Sequence, residues 1–364
     1  MTRGTEPPYA RGVLWVPFQA ALAAEVTELP PRFRGDVEID YRYGREHSFL
    51  YEGTESVGSA TATDHVLHYA ATFAVWDGIA VWVDVPQYAS QQIAYADTHL
   101  MAFDPNEGTG TMVGTDADPA PPTVEGAGPG GTWIGVQGTP FSQTLFPRRG
   151  DRMTMLLELG YRFADRTNFY TTTDQGSRGG GPGSAAWRAS AAFSTTHRST
   201  DPYMKFTYEH DQAIVQDVKD ETGAVLASDA TVNPADHLEA LIGAEVRTYE
   251  DETSGAALDL DFFLRAGYST WQDVPSGIYL PSVIASSDGQ AVTQSDMLYA
   301  RGGVGLDWQV FEYLEWDVAG EAGTRSGHRL EYPYDISTGD SFDYAITTSI
   351  TIRIRDPKPT IATL

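Results

Sequence analysis

The 364-residue sequence contains no cysteine, which rules out disulfides, thiolate metal sites and a cysteine nucleophile. No apolar run approaches the roughly 20 residues of a membrane-spanning helix. Cations are scarce. Only 24 Lys and Arg stand against 50 Asp and Glu, for a formal net charge of −26. Nucleic acid is therefore excluded as a partner, because phosphate backbones are bound through clustered Lys and Arg. No composition shift divides the chain, which reads as one domain.

Catalytic patterns are also missing. The glycine-rich stretch DQGSRGGGPG (174–183) has no Lys-Ser/Thr at the spacing of a phosphate loop. His65 and His68 stand three apart on a strand, hence on opposite faces, and cannot chelate one metal together. Ser48 beside His47, and Ser194 near His197, are Ser/His neighbours with no third partner to complete a triad. No catalytic residue, metal ligand or cofactor site is expected, and the chain does not read as an enzyme.

What is present is alternation. From Phe342 to Arg355, one face carries Phe342, Tyr344, Ile346, Thr348, Ile350, Ile352 and Ile354, and the other Asp343, Ala345, Thr347, Ser349, Thr351, Arg353 and Arg355. Successive side chains of a strand point to opposite faces, so this segment has one oily side and one wet side. Residues 258–269 repeat the pattern, broken only by Phe263. Ten further segments read the same way: 33–44, 64–76, 79–87, 132–143, 153–163, 185–196, 202–213, 237–249, 296–310 and 313–325. Alternation is weakest in 132–143 and 202–213.

The gaps between these twelve segments alternate too. Long stretches (45–63, 88–131, 164–184, 214–236, 270–295 and 326–340) take turns with short ones at Asp77-Gly78, around 147–151, 197–201, 250–257 and Phe311-Glu312. Tilted strands of about 11 residues rise on the order of 28 Å, enough for the apolar band of an outer membrane. An even count with short turns on one side and long loops on the other is the pattern of an all-β, single, antiparallel up-and-down transmembrane β-barrel, with both termini in the periplasm. A soluble sandwich has shorter strands and no reason to keep the loop order.

In such a barrel the apolar faces meet lipid and the opposite faces line the lumen. The predicted lumen set is Glu38, Asp40, Arg42, Asp84, Glu158, Arg162, Arg188, Glu239, Glu245, Arg247, Asp259, Asp261, Arg265, Arg301, Asp307, Glu315, Asp317, Glu321, Arg353 and Arg355. None belongs in lipid, where a mid-membrane charge costs about 2–4 kcal/mol. Gly160, Gly243, Gly267, Gly303 and Gly305 share this face and are expected to leave room for water. Tyr43, Phe163, Trp187, Tyr268, Trp308, Trp316 and Phe342 lie near strand ends, where amphipathic rings form interfacial girdles.

Flanking segments carry further expectations. Residues 1–24, with Arg3 and Arg11 ahead of GVLWVPFQAAL, fit a short signal peptide ending near Ala23 or Ala24. Residues 25–356 form the barrel, and 357–364 a periplasmic tail. A short helix is expected over 93–103 and a flexible stretch over 108–131; either this loop or 164–184 is a candidate to constrict the mouth. The acidic loops suit divalent cations shared with lipopolysaccharide, or repulsion of anions, and equally suit solvated loops without a specific partner.

The phrases WDGIAVWVDVP (76–86) and LELGYRF (157–163), set in the pattern from Phe33 to Arg355, resemble outer-membrane β-barrel proteins of Gram-negative bacteria, the transporter-like and porin-like group. The resemblance implies architecture rather than chemistry. The chain departs from that class by running eight residues past strand twelve, by lacking a recognisable N-terminal hatch, and by lacking the His-Ser-Asn arrangement of the outer-membrane phospholipase. Three readings stay open: a channel passing small solutes through a narrow charge-lined lumen, a plugged structural or surface-interaction barrel, and an outer-membrane lipid-modifying enzyme.

Overall fold

The computed structural model describes residues 29–30, 33–52, 54–96, 100–104, 109–113, 123–142, 153–165, 179–195, 199–219, 225–251, 254–275, 291–294, 296–311, 313–327, 329–331 and 336–354. The wall opens with three long strands, β1 (Gly35–Glu52), β2 (Glu55–Trp76) and β3 (Ile79–Ala96). A hairpin of β4 (Leu100–Asp104) and β5 (Thr109–Val113) stands outside the main sheet. The fourth wall strand comes in two pieces, β6 (Thr123–Pro129) and β7 (Trp133–Phe141), both paired with β3. Then follow β8 (Thr154–Arg162), β9 (Ala186–Ser194) and β10 (Thr200–Asp211). A second outlying hairpin joins β11 (Ile214–Lys219) to β12 (Val225–Val232). The wall resumes with β13 (His237–Asp251) and β14 (Ala256–Ser269), and continues after short β15 (Gln272–Pro275) and β16 (Ala291–Gln294) with β17 (Met297–Phe311) and β18 (Leu314–Arg325). Short β19 (Arg329–Glu331) and β20 (Ile336–Thr338) precede the last strand, β21 (Ser341–Ile354).

Every wall strand runs antiparallel to its neighbours, and β21 pairs with β1 from Gly35↔Ile354 to His47↔Phe342. That pairing closes twelve strands into a barrel. The expected fold is thus the observed one.

Period-two patterning explains which way each strand faces. On β21, Phe342, Ile346, Ile350, Ile352 and Ile354 are exposed outside, whereas Ser341, Asp343, Ala345, Thr347, Ser349 and Thr351 are buried inside. β1 does the same, with Val37 and Ile39 outside and Asp40, Arg42, Glu46 and Ser48 inside. The two weakly patterned segments also resolve: Met204, Phe206 and Tyr208 of β10 and Ile134 and Val136 of β7 are exposed, while Tyr203, Asp211 and Trp133 are buried. Exposed rings mark both rims. Phe163, Trp187, Tyr268 and Phe342 lie toward the long loops, and Trp76, Trp308, Phe311, Tyr313 and Trp316 toward the short turns. Trp308 and Trp316 sit directly opposite on β17 and β18, with ring centroids 6.1 Å apart.

Three expectations need correction. Residues 45–63 are not a loop: β1 and β2 remain paired up to Glu52↔Glu55. At about 3.4 Å per residue, the 22-residue β2 is roughly 70 Å long, about twice what a tilted crossing of a 25 Å apolar band needs. Past the lipid, the outer face no longer has to be apolar, as Arg45 and His47 show. The alternation fades there although the backbone pairing continues. The helix expected over 93–103 is absent, since Ile93 is a β3 residue paired on one side with Ala62 and on the other with Val124. The stretch 108–131, expected to be flexible for its Gly, Pro and Thr, contributes β5 and β6. Asp77-Gly78 does form the anticipated tight turn, with Gly78 at φ 77° as such hairpins require.

The outer face sets one measurable consequence. Val304, 58% exposed and paired with Phe262 and Gly320, lies midway along β17. Val304→Arg is expected to destabilise the barrel folded in lipid vesicles by about 2–4 kcal/mol in urea titrations, while a midpoint matching the parent protein would place Val304 away from hydrocarbon.

Candidate functional site: the barrel interior

The interior faces of the strands bring most of the predicted lumen residues together. Asp40, Arg42, Asp84, Arg162, Arg188, Asp259, Asp261, Arg265, Arg301, Glu315, Asp317 and Glu321 are buried. Glu38, Glu158, Glu239, Glu245, Asp307 and Arg353 are half-buried. Arg247 is the outlier: its side chain is 42% exposed at the turn-side mouth, where it pairs with Asp259 at 3.3 Å and Glu250 at 3.6 Å. Arg355 lies outside the described residues.

Much of the charge inside is matched across strands. Arg265 reaches Glu239 and Glu321, each at 3.5 Å. Arg301 reaches the same Glu321 at 3.6 Å and, through Nε, Asp343 at 2.9 Å. Tyr299 donates to Glu239 at 2.7 Å. Toward the long loops, Arg325 pairs with Glu46 at 3.2 Å, and Ser341 donates to the same carboxylate at 2.7 Å. Arg42 pairs with Asp64 at 3.2 Å, and His68 lies 3.2 Å from Asp84. Arg162 holds Glu209 at 3.1 Å, the Ser184 carbonyl at 3.1 Å, and Asp211. Glu46, Asp64, Glu209, Asp211 and Arg325 were not among the predicted lining residues, whereas Asp343 lies on the wet face expected of its strand. Glu46 fell in an expected loop, although Arg42, Gly44, Glu46 and Ser48 keep strand period on one face.

Gly160, Gly243, Gly267 and Gly303 do not leave room for water, as had been expected of them. Aromatic rings from neighbouring strands occupy that space. A Cβ at Gly135 or Gly160 would lie 2.5 or 2.7 Å from the Trp82 ring. Rings of Tyr203, Tyr299 and Phe263 cover Gly243, Gly267 and Gly303 in the same way. Phe263, the one break in its strand's pattern, is therefore an interior packing residue, 9% exposed.

A buried apolar cluster, at most a partial partition, lies inside the wall toward the short turns. Leu29, ahead of β1, clusters with Ala74, Ala80, Leu156, Ala192, Tyr203, Leu241 and Phe263, drawn from seven wall strands. The chain then leaves the interior through Phe33, whose φ of 60° and hydrogen bond to the Ala74 carbonyl (2.8 Å) fix a sharp turn. A segment inside the barrel ahead of β1 thus exists where none had been recognised.

The interior also holds two regions of unlike charge. On the turn side, Asp259, Asp307 and Asp317 stand directly opposite one another across β14, β17 and β18. Asp307, Glu315 and Asp317 offer carboxylate oxygens all within 4.8 Å, a grouping of a kind that can hold a cation. Arg353 pairs with Glu315, and Ser349 donates to Asp317 at 2.8 Å. On the loop side is a cavity of about 890 Å³, its open mouth included, whose lining includes Leu241 of the apolar cluster. Residues 179–184 are largely buried above it: Gly181, at φ 72°, donates its N–H to Gln91 at 3.2 Å, and Pro182 joins the lining. The end of loop 164–184 thus narrows the mouth.

The Ser/His neighbours do not converge. His47 bonds Thr61 on the outer face at 3.0 Å while Ser48 is buried on the inner face, and His197 lies outside the described residues. His65 and His68 occupy opposite faces, as expected: His65 meets Tyr41 at 2.7 Å, and His68 points inward.

Fold and interior together define a transmembrane β-barrel of the outer-membrane type. No protein-family model matches the sequence, and no curated protein matches it. Solved structures do. The COG4313 outer membrane channel from Pseudomonas putida F1 superposes with a TM-score of 0.56 at 9% identity, covering 92% of this chain and 100% of that one. A FadL homologue of Pseudomonas aeruginosa (12% identity, 88% of this chain, 90% of that one) has a TM-score of 0.42. The toluene transporter TodX of Pseudomonas putida (6% identity, 88% and 89%) has a TM-score of 0.39. The first of these supports the fold; the two lower scores add nothing to it.

Two substitutions test the interior electrostatics. Arg301→Ala leaves Glu321 and Asp343 buried without their shared cation, and is expected to cost about 3–5 kcal/mol in urea titrations of the folded barrel. Asp307→Asn relieves like charges directly opposite and is expected to stabilise by on the order of 0.5–1 kcal/mol. An unchanged midpoint for the first, or a lowered one for the second, contradicts this description.

Proposed function

We propose that the protein is a channel of the bacterial outer membrane that passes small solutes through a narrow, charge-lined interior. The observation that carries this reading is a closed wall, apolar outside, around a loop-side cavity lined with charged groups. Lipid hydrocarbon is the partner of the outer face, because exposed Ile, Leu, Val and aromatic side chains in water would be an aggregation surface. Lipopolysaccharide and divalent cations are partners of the acidic loops, in keeping with the net charge of −26. Short turns and both ends of the barrel face the periplasm. The protein acts without a cofactor and without catalysis.

In this reading Leu29 and its apolar cluster are the closed element, since ions and polar solutes do not cross a dehydrated apolar layer. A second reading, a permanently plugged structural barrel, draws on the ion pairs of Arg265 and Arg301, which fill the side of the interior formed by β13, β14, β17, β18 and β21. Planar-bilayer recording separates the two. Leu29→Asp places a charge in the apolar cluster and is expected to lengthen open events or raise conductance several-fold over the parent protein. Folded protein that yields no discrete steps, either as the parent or as this variant, sinks the channel reading and favours the plug.

A further inference from the structure

The loop-side cavity has a lining unlike the rest of this acidic chain. Four cations face it, Arg162, Arg188, Lys205 and Arg265, against two acids, Glu209 and Glu239. Three of the four are arginines held by carboxylates of the wall: Arg162 by Glu209 and Asp211, Arg188 by Glu209 at 3.9 Å, and Arg265 by Glu239 and Glu321. Lys205 differs. Among the described residues no carboxylate oxygen comes within 4.0 Å of its ammonium group and no hydrogen bond fixes it. Glu158, two strands away on β8, is the wall carboxylate that acts on the ammonium electrostatically without touching it, so its N–H donors stay open to a ligand in the cavity.

Two buried aromatic side chains border the same cavity, Trp133 and Tyr88. Trp133 is 5% exposed and carries the Arg188 guanidinium 3.9 Å above its ring, with Arg162 at 5.1 Å. These stacked arginines fix the indole's orientation and leave positive charge beside an aromatic plane. Tyr88 forms another side, its ring held by close approach of Gly130 and Gly181, where a Cβ would lie 2.7 and 2.9 Å from it. Leu241 lines the cavity too and is shared with the cluster around Leu29. Cation, aromatic walls and apolar floor together call for one chemistry: an anionic head on a flat, apolar body.

We infer that this cavity binds a small organic carboxylate, its carboxylate on Lys205 and its body against Trp133 and Tyr88. The inference rests on the channel reading for its place in transport and names the solute class.

The test uses the full chain, folded in detergent micelles, with benzoate, benzyl alcohol and inorganic phosphate as probes in calorimetry and tryptophan fluorescence. Saturable benzoate binding is expected, with benzyl alcohol and phosphate each at least about tenfold weaker, the loss typical of a charge-assisted contact. Lys205→Met is expected to weaken benzoate about tenfold or more, and Lys205→Arg to restore most of the affinity; heat-modified gel mobility shows that both variants are folded. No saturable benzoate binding, phosphate or benzyl alcohol binding as tightly as benzoate, or an unaffected Lys205→Met variant each overturn the inference. Binding is read here without conduction. A barrel that binds benzoate yet never conducts overturns the channel reading alone, and one that conducts without binding benzoate overturns this inference alone.

Discussion

A backbone that crosses hydrocarbon has no water to bond, so each of its N–H and C=O groups must find a partner within the protein. The pairing of β1 with β21 meets that requirement for the last two open edges of the sheet. Everything else follows from closure. Once the sheet is a cylinder, the alternating faces become an outside and an inside, and the outside has to be apolar wherever lipid touches it. The strand registers that close the wall also decide which charges meet across it.

Closure then makes the interior crowded. Buried charges are costly unless paired and hydrogen-bonded, and here arginines bridge carboxylates on adjacent or next-adjacent strands. Arg301, between Glu321 and Asp343, links β17 to β18 and β21; Arg265 links β14 to β13 and β18. Glycines on the interior faces admit rings from the next strand, so that Trp82, Tyr203, Phe263 and Tyr299 fill space that small residues alone would leave open. Leu29 completes the filling on the turn side. Among the described residues a loop-side cavity remains open, with Pro182 in its lining.

The division of the interior has a functional meaning. The loop-side cavity is lined by four cations and two acids beside aromatic rings, and the turn side holds a concentration of carboxylates. In the proposed channel, a solute entering from the long loops meets the cavity before the cluster around Leu29, an order that suits selection by binding ahead of passage.

Alternation within segments and between gaps was legible in the chain itself. It is local, with period two along each strand, and the solvent differs on the two faces, so it specified strand number, inside and outside, and the aromatic rims. It failed at the strand extensions above the membrane, where both faces of β1 and β2 tolerate polar residues and the period loses its signal. It also failed for Leu29, because one apolar residue in a linker has no periodicity to reveal it. Which charges pair, which rings cover which glycines, and where Lys205 stands without a carboxylate all depend on register between strands far apart in sequence. The amino-acid sequence thus determined the wall and its two solvents, through a repeating constraint that each segment obeys separately. Only the closed tertiary structure decided the contents of the interior, because those contacts exist once the cylinder has brought distant strands face to face.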